Sequence, residues 1–100
     1  MNNVIPFLRE LAKKEPLIEK LILFGSRARE DYQTRSDYDV AVVAPNLSFD
    51  AWSRWAGNAR ENVPTLCGLD LVLLNAKIST ELRKNIESEG KVFYDRNSKK

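Results

Sequence analysis

The chain has 100 residues, of which 43% are hydrophobic and 30% are charged, a composition typical of one soluble globular domain. Sixteen Lys and Arg against fourteen Asp and Glu leave a formal charge of +2, which argues against nonspecific nucleic-acid binding. The absence of histidine excludes Ser-His and Cys-His catalysis and His-ligated metals, and the single cysteine excludes an intrachain disulfide.

The sequence also indicates where the protein works and how it is divided. No apolar run approaches the roughly 18 residues of a membrane span, and the N-terminus lacks the apolar block of a signal peptide. We therefore expect a cytoplasmic protein with no membrane association, and we interpret Cys67 as a small core residue. We expect a single domain over residues 1–100, with residues 95–100 as a disordered polar tail.

The first half of the chain predicts a helix, a strand and a turn. Apolar residues recur at helical spacing in residues 4–14, and Glu15-Pro16 ends that pattern. The apolar run 21–24 predicts an interior strand that Gly25 ends. Residues 26–29 are expected to form a short helical turn, and a polar surface loop follows.

The second half predicts alternating strands and helices. Strands are expected over 37–43, 68–74 and 92–94, and helices over 48–62 and 80–89. Ser48 or Asp50 is expected to cap the first of these helices, and Ser79 the second. The order α-β-α-β-α-β-α-β predicts an α/β (α+β) domain with a mixed or parallel central sheet and helices on its faces.

Three aspartates are candidate metal ligands. Asp37 and Asp39 are two residues apart at the start of a strand, so their side chains leave the same face. Asp70 interrupts an apolar strand, where a carboxylate is costly to bury unless it is paired or binds a metal. If the two strands are neighbours, the three carboxylates can hold divalent cations and support in-line displacement at phosphorus. In this arrangement Asp70 could also accept a proton.

A glycine-serine turn is the candidate phosphate site. Gly25 allows the backbone to approach a ligand closely, and Ser26 and the following N–H groups can donate to phosphate oxygens. Arg27, Arg29 and Arg35 are near enough in sequence to add positive charge, and spacing does not tell which of them faces the site.

Each of these signals also has a simpler interpretation. A Gly-Ser after a strand is usually only a turn, an Asp-x-Asp at a strand start is more often solvated or capping, and Asp70 could pair with a lysine or arginine. What favours the functional interpretation is that all of the features occur in one order in so short a chain.

The segment Leu23-Phe24-Gly25-Ser26-Arg27-Ala28-Arg29 is followed by Asp37-Tyr38-Asp39, with ten residues between Ser26 and Asp37. This pattern resembles the signature of the DNA polymerase β-type nucleotidyltransferase superfamily. Within it, the chain is most similar to the minimal nucleotidyltransferase (MNT) group. The third carboxylate of the family corresponds to Asp70 in Leu69-Asp70-Leu71-Val72. One departure is Glu30, which stands where the family often has glycine.

The resemblance implies a nucleotidyltransferase fold that uses an NTP, commonly ATP, with Mg²⁺ or Mn²⁺. Catalytic and metal-binding roles are implied for Asp37, Asp39 and Asp70, and we predict nucleotide binding by four residues: Gly25, Ser26, Arg27 and Arg35. It also implies that the acceptor site comes from a separate helical protein of the HEPN or substrate-binding type. The aromatic residues Phe49, Trp52, Trp55 and Phe93 are candidate contacts, although each tryptophan is more easily explained by core packing.

Alternative functions stay open from the sequence alone. One is the antitoxin of a HEPN/MNT pair that adds AMP to its toxin, and another is the catalytic half of a two-component transferase acting on a small molecule. A different class is a catalytically weak binding module that neutralises its partner by complex formation. A nucleic-acid-binding module is disfavoured, because the chain has no basic helix and no aromatic stacking platform.

Overall fold

Four helices alternate with four strands in the computed structural model, which describes residues 3–30, 33, 36–74 and 78–97. The elements are α1 (Val4–Lys13), β1 (Lys20–Phe24), α2 (Ser26–Arg29), β2 (Tyr38–Val43), α3 (Phe49–Asn62), β3 (Leu69–Leu73), α4 (Thr80–Glu89) and β4 (Lys91–Asp95). The predicted order is confirmed. None of the described helices is long and apolar enough to cross a membrane.

The strands form one mixed sheet in the order β3-β2-β1-β4. β1 is antiparallel to both β2 and β4, whereas β2 and β3 are parallel and are connected through α3. The register places Asp39 opposite Phe24 of β1 on one side and opposite Asp70 of β3 on the other. The two strands that carry the predicted carboxylates are therefore neighbours.

One face of the sheet packs against α1 and α3 and forms the larger part of the core. Its fully buried side chains include Leu8, Leu21, Val40 and Val42. Alternate residues of β2 point to this face, as the two-residue period of a strand requires. A smaller cluster of Phe24, Ala41 and Ile86 lies under α4 on the other face.

The aromatic residues of α3 belong to this core. Trp52 and Trp55 retain 9% and 7% exposure, and their ring centroids are 6.1 Å apart. The indole N–H of Trp55 donates to the Leu11 carbonyl of α1 at 3.2 Å. The core-packing interpretation of both tryptophans is therefore correct, and neither is available as a partner contact in this conformation. Phe49, by contrast, is 74% exposed.

The first residues of the expected tail form defined contacts. Asp95 ends β4, and the Arg96 backbone N–H donates to the Glu19 carbonyl at 2.8 Å. The Arg96 guanidinium reaches three carbonyl oxygens of segment 12–18 at 3.0–3.2 Å, which belong to Ala12, Glu15 and Ile18. These hydrogen bonds attach the residue after β4 to the turn that connects α1 to β1.

Candidate active site

Asp39 and Asp70 lie side by side on neighbouring strands. Their Cα atoms are partners in the parallel β2–β3 register, so both side chains leave the same face of the sheet. Asp39 is half-buried and Asp70 is exposed, and the charge of Asp70 acts on the Asp39 carboxyl group. The sequence predicted that Asp70 could join Asp39 if their strands were neighbours, and in the structure the two strands are adjacent.

The pKa of the Asp39 carboxyl group is unusually high for an aspartate. The pKa of Asp39 is raised from its ordinary value of 3.8 to about 6, first by burial and then by the neighbouring charges of Asp70 and Asp37. Arg29 opposes these effects. A carboxyl group is more easily kept protonated where other carboxylates surround it, so a nearby cation would relieve the repulsion.

The side chain of Asp37, the residue before β2, contacts Gly68, the residue before β3. Its Oδ1 accepts a hydrogen bond from the Gly68 N–H at 3.1 Å, and a Cβ on Gly68 would come within 2.6 Å of the same oxygen. Within the described ranges, no three His, Cys, Asp or Glu side chains already form a cation cage. Asp37 therefore acts on Asp39 by charge, with one oxygen engaged by backbone.

The Gly25–Ser26 turn lies directly against the Asp39 carboxylate. Gly25 has φ +78°, in the region that favours glycine, and a Cβ there would collide with Asp39 Oδ2. The Gly25 carbonyl accepts hydrogen bonds from the N–H groups of Ala28 and Arg29 at 3.1 Å, which forms the first turn of α2. The predicted phosphate turn and the predicted metal ligands thus share one location.

The arginines differ in their surroundings. The Arg27 guanidinium lies 3.9 Å above the Tyr38 ring, and its N–H groups donate to the Ser36 carbonyl at 3.1 Å and to Cys67 Sγ at 3.7 Å. These contacts tie the loop before β2 to the start of β3, so the structure gives Arg27 a structural role, and nucleotide binding by it stays a prediction. Arg35 lies outside the described residues.

Among the arginines that the structure describes, Arg29 is the one whose charge acts on Asp39. Burial, and after it the neighbouring carboxylates, raise the pKa of Asp39, and the positive charge of Arg29 lowers it. The guanidinium also forms an ion pair with Glu89 of α4 at 3.0 Å. The sequence named Arg29 only as one of three nearby charges, because a distance along the chain does not show which way a side chain points.

Glu30 takes the conformation for which glycine is suited. Its φ of +68° is left-handed, and the position follows the last residue of α2. Its carboxylate lies 3.3 Å from the Lys91 ammonium. The departure from the family's glycine therefore leaves the turn intact, at the steric cost of a side chain in that region.

The donor set fits a hard divalent cation. Asp37, Asp39 and Asp70 offer carboxylate oxygens, which are the ligands that Mg²⁺ and Mn²⁺ prefer. Asp37 and Asp70 are exposed, so the group is open to solvent. The pKa of Asp39 is raised mainly by burial and then by Asp70. A bound cation would relieve the repulsion between these two carboxylates.

The fold and the acidic strand pair define a nucleotidyltransferase domain. The family model described as "Polymerase beta, Nucleotidyltransferase" matches residues 7–99. The chain belongs to this family and is a nucleotidyltransferase, as the resemblance of its Gly-Ser and Asp-x-Asp motif indicated.

Two relatives have the name of protein adenylyltransferase. A Methanocaldococcus jannaschii protein that is provisionally so named is 33% identical over 91 residues, covering 77% of this chain and 79% of the relative. The protein adenylyltransferase MntA of Aphanizomenon flos-aquae is 28% identical, covering 95% of this chain and 73% of the relative. Both are therefore similar to this chain along most of its length.

Solved structures with the same fold include toxin–antitoxin complexes. One, crystallised with AMP-PNP, superposes with a TM-score of 0.72 at 26% identity, covering 95% of this chain and 75% of that one. Another contains a tri-AMPylated Shewanella oneidensis HEPN toxin with its MNT antitoxin, and superposes with a TM-score of 0.66 at 25% identity over 91% of this chain and 69% of that one. The nucleotidyltransferase fold is thus confirmed.

Proposed function

We propose that the protein transfers AMP from ATP to a protein acceptor, in a reaction that depends on divalent cations and takes place with a helical partner of the HEPN type. The observation that carries the proposal is the register of Asp39 beside Asp70, directly against the Gly25 turn. The names of the relatives, protein adenylyltransferases and HEPN complexes, support the choice of nucleotide and partner.

The residues of the chain would divide the reaction between them. Asp37, Asp39 and Asp70 would hold the cations, and the backbone N–H groups after Gly25 with the Ser26 hydroxyl would donate to phosphate oxygens. Bound cations supply charge neutralisation and a lower pKa for the attacking hydroxyl. Asp70 would accept that hydroxyl's proton while the new O–P bond forms at the α-phosphate and pyrophosphate leaves.

The exposed residues near these elements suit an external acceptor. Asp37 and Asp70 face solvent, and Phe49 is 74% exposed at the start of α3. Among the predicted partner contacts, Phe49 is therefore retained, Phe93 is half-buried, and the tryptophans are excluded by their burial in the core.

The test measures label transfer from α-³²P-ATP to the protein encoded beside this one, with Mg²⁺ present. Transfer is expected with the wild-type chain and is expected to fall at least a hundredfold with Asp39→Asn, because a metal ligand is lost. Asp50→Asn, an exposed change in the first turn of α3, serves as the matched control. Full transfer by Asp39→Asn would refute the assignment of the site.

A binding module is the second candidate function. It is favoured by the hydrogen bond from the Gly68 amide to Asp37 Oδ1, which engages one oxygen of the proposed cation site with backbone. A module of this kind would neutralise its partner equally well as wild type and as Asp39→Asn, with no label transferred in either case. Co-purification of the two proteins together with the transfer assay separates the two functions.

A further inference from the structure

Two ion pairs connect the end of α2 to the turn between α4 and β4. Arg29 Nη1 lies 3.0 Å from Glu89 Oε1, and Lys91 Nζ lies 3.3 Å from Glu30 Oε2. Arg29 and Glu30 are consecutive, and Glu89 and Lys91 flank one glycine, so the two pairs join the same two short segments. None of these contacts is needed to form the sheet, whose register is set by backbone pairing.

The stability of α4 does not explain the position of Glu89. The last turn of α4 contains no basic residue. A glutamate there lies against the partial negative charge of the helix C-terminus, which is unfavourable. The Glu89 side chain is nevertheless only 28% exposed, whereas Glu87, two residues earlier in the same helix, is exposed. The contact that compensates Glu89 is the Arg29 guanidinium.

Arg29 in turn ends the short helix α2, which begins directly after the Gly25 turn. α2 begins at the Gly25 turn, which follows Phe24, the partner of Asp39 in the sheet register. The charge of Arg29 acts on the Asp39 carboxylate. The Arg29 backbone N–H donates to the Gly25 carbonyl at 3.1 Å, so Arg29 belongs to the first turn after the predicted phosphate site, and Glu89 of α4 contacts its guanidinium.

We propose that Glu89 is a positioning residue that fixes the Arg29 guanidinium for contact with the anionic phosphates of a nucleoside triphosphate. The inference rests on the proposed function. An arginine that is already held in one rotamer loses less conformational entropy when it binds phosphate. The Glu89 carboxylate also repels phosphate, so positioning and simple charge predict opposite changes in affinity when Glu89 is removed.

The binding test titrates MgATP into the full chain by calorimetry. Glu89→Ala is expected to weaken binding roughly three- to tenfold if positioning dominates. Glu87→Ala removes the same charge from the same helix without the Arg29 contact and is expected to leave affinity unchanged. Tighter or equal binding by Glu89→Ala would overturn the inference, since removal of charge alone would then account for the data.

A second measurement follows the guanidinium itself by NMR of the arginine side chains. The Arg29 Nε–H signal is expected to show restricted motion in the wild type and in Glu87→Ala. In Glu89→Ala this restriction is expected to be lost. Glu89→Gln is expected to restore part of the restriction, because its amide oxygen still accepts a hydrogen bond. An Arg29 signal that is the same in Glu89→Ala and the wild type would contradict the role of Glu89.

The two experiments separate this inference from the proposed function. If the wild-type chain binds MgATP and Glu89→Ala binds it equally, only the positioning role fails. If the wild-type chain does not bind MgATP, the nucleotide site itself is wrong, and the positioning role fails with it. Thermal unfolding of each variant checks that the fold is intact, which is expected because the pair is on the surface.

Discussion

The two faces of the sheet are built for different purposes. The face under α1 and α3 is apolar and closed, with Leu8, Val40 and Val42 fully buried. The face under α4 carries a small apolar cluster and, at one end, the half-buried Asp39 beside Asp70. Apolar burial is therefore concentrated on one face, while the other face contains a carboxylate pair whose repulsion a bound cation would relieve.

The largest expected effect comes from breaking the closed face. Leu8→Ala should lower the free energy of unfolding by about 3 kcal/mol, because it removes a fully buried side chain and leaves a cavity. Leu17→Ala, at a position that is 43% exposed, should cost less than about 1 kcal/mol. Urea unfolding of both variants measures the difference, and equal losses would show that the α1 face is not the main core.

An intermediate effect is expected where the turn meets the carboxylate. Gly25→Ala should destabilise by about 2 kcal/mol and reduce nucleotide transfer, since φ is positive and the added Cβ would displace Asp39. Gly57→Ala is the matched control, because nothing lies within 4 Å of its Cβ and alanine favours a helix interior, so it should stabilise by about 0.5–1 kcal/mol. Thermal unfolding distinguishes them, and a neutral Gly25→Ala would contradict the described packing.

The smallest expected effect on stability concerns Asp39, at the acidic end of the sheet face under α4. Because burial and then Asp70 raise the pKa of Asp39 from 3.8 to about 6, folding favours its protonated form. The resulting stability is present below about pH 4 and is lost as the pH rises through about 6. Asp39→Asn, which cannot ionise, should therefore be more stable than the wild type at pH 7.5.

The magnitude expected at pH 7.5 is about 1 kcal/mol, since Asp39 is partly solvated and solvent screens the repulsion. The difference between Asp39→Asn and the wild type should disappear near pH 4. Urea unfolding in buffers without divalent cations, at both pH values, measures it. A variant that is less stable than the wild type at pH 7.5 would show that the Asp39 carboxylate is favourably paired in the fold.

The sequence by itself predicted the order of elements and most of their ends. Alternation with period two or 3.6 identifies strands and helices, and glycine, proline and capping serines mark their ends through local backbone chemistry. Ser48 and Ser79 do cap their helices, with side-chain oxygens accepting the N–H groups of Ala51 and Leu82 at 3.1 Å. The Gly-Ser and Asp-x-Asp motif likewise indicated the family, because its spacing is local.

Only the tertiary structure decided which distant residues meet. The parallel pairing of β2 with β3 places Asp70 beside Asp39, and the packing of α4 brings Glu89 to Arg29. It also anchors Arg96, which the sequence placed in a tail. The physical reason is that propensity and periodicity depend on neighbours along the chain, whereas a site depends on which strands become adjacent and which side chains then share a surface.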